Sequence, residues 1–197
     1  MKTLRSFAIL AAAASLGAAS LLAQQPVSPR VNSTGGKSPH ETTSAIIGDR
    51  KTGDRVTITY GRPYTKDPKT GEPRKIWGGL VKWDEPYRLG ADEATLLLTE
   101  KPLVIQGTTI PAGAYTLYSV PSEKGPSKLV FSSTVGKWGD PVDEAHDLAR
   151  FDLVKSTLDK PMDQLTISVA NDKATGGGVL KIAWETTQFS LPFAVAK

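Results

Sequence analysis

Between positions 40 and 195 the chain alternates apolar and polar residues with the two-residue period of a strand. Val56, Ile58 and Tyr60 fall on one face, with Thr57 and Thr59 on the other. Leu165, Ile167 and Val169 alternate strictly, and so do Leu180, Ile182 and Trp184. Extended along the chain, this pattern predicts strands over residues 42–47, 55–60, 94–99, 103–106, 115–120, 128–132, 151–154, 165–170, 179–184 and 189–195. Gly48-Asp49, Thr52-Gly53-Asp54, Gln106-Gly107 and Pro111-Ala112-Gly113 supply turns between them. Only residues 143–149 have a helical pattern, for about two turns. About ten short strands with one short helix predict an all-β fold, an antiparallel β-sandwich or a barrel, rather than a parallel α/β sheet. No period of about 20 to 50 residues marks a repeat protein. A single β-sandwich domain over residues 38–197 is expected.

One stretch interrupts the pattern. Residues 60–95 are rich in Gly and Pro, yet they hold two of the four Trp and three of the five Tyr. Such a segment is too broken for a helix and too aromatic for a solvated linker, so a fixed loop is expected. It also carries Arg62, Arg74 and Arg88.

The N-terminus reads differently. Lys2 and Arg5 precede an apolar, Ala- and Leu-rich run over residues 7–23, the pattern of a secretory signal cleaved after Ala23 or Ser20. Residues 1–23 are thus expected to be a signal peptide, and the Pro-, Gly- and Ser-containing residues 24–37 a flexible leader. Export to the periplasm or outside the cell follows, with no membrane span once the signal is cleaved. Within the leader, Gly36-Lys37-Ser38 resembles the end of a phosphate-binding loop but lacks its first glycine, since position 31 is Val31.

The full chain has 24 Lys and Arg against 20 Asp and Glu, and loss of Lys2 and Arg5 halves that excess from four to two. This is too little for a basic stripe, so nucleic acid is not an expected partner. There is no Cys, hence neither a disulfide framework nor a lipid-anchored cysteine.

The motifs SPHETTSA, YGRPYTKDPKTGEPRKIWGGLV, RLGADEAT, IPAGAYTLYSVP, KWGDPVDEAHDLAR and LTISV, in this order, resemble the bacterial exported proteins grouped as domain of unknown function 2911. The likeness runs from about residue 38 to 192. Tyr87 stands where the family tends to have Trp, and Asp92 where it tends to have Asn. The resemblance implies a bacterial exported all-β domain with the 60–95 stretch as its hallmark, and it implies no activity.

Catalytic chemistry finds few handles. No nucleophile elbow and no Cys are present, and Ser38 with His40 makes no triad by proximity alone. The chain has two His, His40 and His146, with none of the close spacings of a zinc motif. A metal-assisted hydrolase using His40, His146 and a carboxylate such as Asp143 is the catalytic alternative. Glu93 is the best single acid for glycoside hydrolysis, but Glu41, Asp84 and Glu85 are all open as its partner. The remaining feature is the mixture of arginine and aromatic residues: planar guanidinium forks suit carboxylate or phosphate, and flat rings suit stacking. The expectation is a non-catalytic binding domain with no cofactor, in which Arg62, Arg74, Trp77, Tyr87, Arg88 and Glu93 form a site for an anionic small molecule or glycan. A structural or protein-interaction module of the cell envelope is the other alternative.

Overall fold

Alternating burial organises the first three strands. In β1 (His40–Ile47) and β2 (Asp54–Gly61) the inward set includes Ile47, Val56, Ile58 and Tyr60, while Thr42 and Thr59 bond each other through their hydroxyls at 2.9 Å on the outer face. β3 (Thr95–Thr99) pairs antiparallel with β2, Ile58 opposite Leu97. The computed structural model describes residues 38–196, so the expected signal peptide (1–23) and leader (24–37) lie outside the described residues.

The remaining strands are β4 (Leu103–Ile105), β5 (Thr108–Ile110), β6 (Gly113–Val120), β7 (Lys128–Ser132), β8 (Asp147–Asp152), β9 (Val154–Asn171) and β10 (Gly178–Val195). They form two antiparallel sheets, one in the order β1-β2-β3-β6-β7-β8 and one in the order β5-β4-β10-β9. Val56, Ile58, Leu97, Leu117 and Phe131 from the first sheet join Leu165, Ile167, Leu180, Ile182 and Trp184 from the second in one buried cluster. This is the sandwich-like all-β fold expected from the alternation.

Side-chain bonds tie the edge of β9 to β1, to β2 and to Arg62 just beyond β2. Tyr60 Oη donates to Ile167 O at 3.1 Å and accepts from Ile167 N at 2.8 Å. Arg62 Nε donates to Leu165 O, and Asn171 Nδ2 donates to Ile46 O. An edge strand with its backbone groups engaged in this way is protected from pairing with another chain.

Five elements differ from the sequence expectation, the first being the strand over 151–154, which spans the break at Leu153 between β8 and β9. β5 was not expected, because its three residues sit in a tight hairpin with two of them exposed. The strand over 165–170 is the inner end of β9, whose residues 154–164 are largely exposed and so carry no apolar alternation. The strands at 179–184 and 189–195 are one strand, β10, with irregular pairing around Glu185, which has φ +50°. The two-turn helix over 143–149 is instead a single 3-10 turn, Glu144–His146, capped by the Asp143 side chain accepting from Ala145 N. At Asp147 the chain turns extended because β8 pairs with β7, and the Asp147 carboxylate accepts from Tyr118 Oη at 2.6 Å.

Burial raises the hydroxyl pKa of Tyr60, Tyr87, Tyr115 and Tyr118, that of Tyr87 up to about 12. The fold therefore favours the neutral phenols. Their contribution is complete below the unfolded value near 10 and is lost as pH rises through the folded values. Thermal midpoints measured from pH 9 to 12 are expected to fall steeply above pH 10, and Tyr87→Phe should make that fall shallower. An identical slope in the variant would show that Tyr87 is not a source of the alkaline loss.

Candidate ligand-binding pocket

The segment between β2 and β3 is pinned at both ends. Near its start, Thr65 N donates to Asp163 O at 2.8 Å and Leu165 N donates to Pro63 O at 3.0 Å, so it pairs with β9. Near its end, Tyr87 and Ser119 exchange backbone bonds of 2.7 and 2.8 Å. β3 stops opposite Leu117, so Tyr87 continues the place of β3 beside β6. Between these points Ile76 and Val81, and just beyond them Leu89, are buried in the core, which explains how so irregular a backbone holds its shape. Gly78 at φ +73° allows the tight turn that closes Val81 N onto Ile76 O; a Cβ there would lie 2.6 Å from the Trp83 ring nitrogen.

A second loop, residues 133–143, closes against the end of this segment. Ala94 N donates to Lys137 O at 3.2 Å, and Gly139 packs so tightly on Ala94 that a Cβ would come within 2.7 Å of it. The two loops enclose an open pocket of about 840 Å³. Its walls come from residues 85–88 and 90–92 on one side and 138–142 on the other, with Ser38, Pro63, Pro68, Arg74, Leu80 and Lys82 completing it.

Arg88 is central to this wall. Its Nη1 donates to Asp92 O at 3.0 Å and its guanidinium lies over the Trp138 ring, 5.7 Å from the centroid. Arg74 Nη2 donates to Tyr64 O at 2.7 Å, while its buried Nε has no hydrogen-bond partner. Tyr87 Oη donates to Gly90 O at 3.1 Å, and burial keeps this phenol neutral. Asp84, Leu89 and Asp92 all occupy the left-handed region, at φ +59°, +57° and +63°. Backbone conformations of this cost cluster where the surrounding structure over-determines a site.

Arg74, Tyr87 and Arg88 thus line one cavity, whereas Arg62, Trp77 and Glu93 lie outside its wall. Arg62 is used by the sandwich: Nη1 pairs with Glu41 at 2.6 Å, Nε with Leu165 O and Nη2 with Thr166 Oγ1. Trp77 is an anchor, stacked on Trp83 with centroids 6.1 Å apart and set edge-on to Trp184 and Phe189. Glu93 faces a histidine: its Oε2 lies 3.2 Å from His40 Nε2, with Asp92 Oδ2 at 3.7 Å from the same nitrogen. These three atoms are buried and make no hydrogen bond. Trp138, Lys82 and Asp140 are pocket residues that the sequence reading did not name, while Glu85 was raised only as an open partner for Glu93 and Asp92 only as a departure from the family pattern. The signals for Trp138 were its place in the Gly- and Pro-punctuated WGDP run, some fifty residues beyond Arg88, and in the motif KWGDPVDEAHDLAR.

The two histidines take different partners. His40 meets Asp92 and Glu93, while His146 Nδ1 lies 3.0 Å from Asp143 Oδ2 on an exposed turn. Among the described residues, no group of three His, Cys, Asp or Glu is disposed to hold a metal ion. No described helix is long and apolar enough to cross a membrane.

Comparison with characterised proteins and with solved structures finds no match to this chain. A family model described as "Protein of unknown function (DUF2911)" matches residues 38–193, which include all of the two sheets but the last two residues of β10 and every residue of the pocket wall. The chain belongs to the DUF2911 family.

Proposed function

We propose that this protein is an exported, non-catalytic binding domain whose pocket takes a small molecule carrying negative charge. The observation that supports this most is the presence of Arg74 and Arg88 in one cavity, each spending one N–H on a backbone carbonyl. A guanidinium has five donors in a planar fork, so both side chains keep most of their capacity for a carboxylate or phosphate. Tyr87 and Trp138 add contact surface beside them. Export rests on the signal pattern of residues 1–23, whose removal would leave residues 24–197 as the mature chain.

The test is a thermal-shift and calorimetry panel on residues 24–197 with citrate, inorganic phosphate, uronic-acid oligosaccharides and neutral oligosaccharides. A ligand at about a hundred times its Kd adds roughly 2.7 kcal/mol, which moves the midpoint by several degrees. Arg88→Gln and Arg74→Gln are each expected to weaken the best ligand at least about tenfold, with the unliganded midpoint within about two degrees of wild type. If no negatively charged probe depends on either arginine, the proposal fails.

A further inference from the structure

We infer, resting on the proposal just made, that the ligand is an acidic oligosaccharide of two or three rings rather than a compact anion. The charge balance of the wall argues for this first. Arg74, Lys82 and Arg88 share the pocket with Glu85, Asp92 and Asp140. A phosphate or citrate attracted to the guanidinium groups is repelled by the carboxylates lining the same cavity. A sugar acid uses both signs. Its carboxylate accepts from Arg74 or Arg88, and its hydroxyls donate to carboxylate oxygens, which in their ionised form only accept.

Exposed apolar surface argues second. Trp138 is 51% exposed and Leu80 45% exposed, and both line this pocket. Large apolar side chains left open beside polar ones mark a surface that gains from being covered. The C–H face of a pyranose carries weakly positive hydrogens that suit the negative face of an indole. Arg88 stands over that same indole, so a ring on Trp138 brings its substituents beside a guanidinium.

Size and stiffness agree. The volume of about 840 Å³ is at the upper end for small-molecule sites and far exceeds the needs of phosphate. Pro63, Pro68, Pro86 and Pro141 contribute to the wall, and their fixed φ lowers the ordering cost of binding.

Calorimetry on residues 24–197 with trigalacturonate, trimannuronate, maltotriose, galacturonate and citrate tests the inference. At least one acidic trimer is expected to bind about tenfold or more tightly than maltotriose, galacturonate and citrate. Trp138→Ala, at an exposed position, should weaken that trimer about tenfold and abolish its fluorescence response, with the thermal midpoint unchanged. Arg88→Gln should weaken the trimer but not maltotriose. Citrate binding through Arg88 without trimer binding would overturn the sugar assignment and leave the anion proposal standing. Equal affinity for acidic and neutral trimers would overturn the acidic-sugar assignment, and the absence of any binding that depends on Arg74 or Arg88 would overturn both.

Discussion

Trp184→Ala is expected to remove about 3–5 kcal/mol of stability, the usual cost of truncating a large buried aromatic. Trp184 is the largest fully buried side chain and is set edge-on to Trp77 with centroids 6.4 Å apart. A domain of this kind has only about 5–15 kcal/mol in total, so the thermal midpoint should drop by roughly 10 °C or more. Trp184 Nε1 has no hydrogen-bond partner, so Trp184→Phe gives up volume but no bond and should cost markedly less. Urea titration followed by circular dichroism separates the two variants. If the alanine variant loses less than about 1 kcal/mol, Trp184 does not carry the core in the way its burial implies.

The second large effect concerns a buried carboxyl group. Asp54 has no exposed surface and opens β2. Its Oδ1 accepts from Glu100 N at 3.0 Å and Lys101 N at 2.8 Å, and its Oδ2 accepts from Thr99 Oγ1 at 2.7 Å. The side chain thereby fixes the bend between β3 and β4, where the chain passes from one sheet to the other. Asp54→Ala strands Lys101 N, at about 1–3 kcal/mol, leaves Glu100 N only its longer bond of 3.4 Å to Arg55 O, and opens a cavity. A loss of about 3 kcal/mol or more is expected, with Thr99 Oγ1 able to turn to Lys101 O at 2.7 Å. Asp54→Asn keeps the shape and one acceptor oxygen and should fall between alanine and wild type. Equal midpoints for Asn and Ala would show that volume, not hydrogen bonding, sets the cost.

Legibility in the sequence followed burial. β7 was expected over residues 128–132 and is found there, and β2 and β3 were located to within a residue at each end because one face of each is buried. The outer half of β9 left no such trace. Its residues are exposed on both faces, and its extended form comes from pairing with β10, which residue types do not record. The pocket shows the same division. Arg74, Tyr87 and Arg88 could be selected because costly side chains in irregular backbone mark a built site. Arg62 has the same residue type and neighbourhood as Arg88, yet it is consumed by Glu41 on β1 and Thr166 on β9, partners fixed only by tertiary structure. Trp138 was missed because a loop distant in the chain supplies it.

The division of labour within the segment between β2 and β3 bears on how the family can diversify. Its inward residues Ile76, Val81 and Leu89 hold the loop in place, while Leu80, Lys82 and Glu85, with Trp138 and Asp140 across the cavity, line the pocket without belonging to the core. Exchanges at these five positions alter what the cavity presents at little thermodynamic penalty, since surface substitutions away from such anchors are usually within about 0.5 kcal/mol. Under the binding role proposed above, scaffold and selectivity are thus separately mutable. A library randomised at residues 80, 82, 85, 138 and 140 should keep most members folded while spreading their ligand preferences, a starting point for recasting the domain as a sensor.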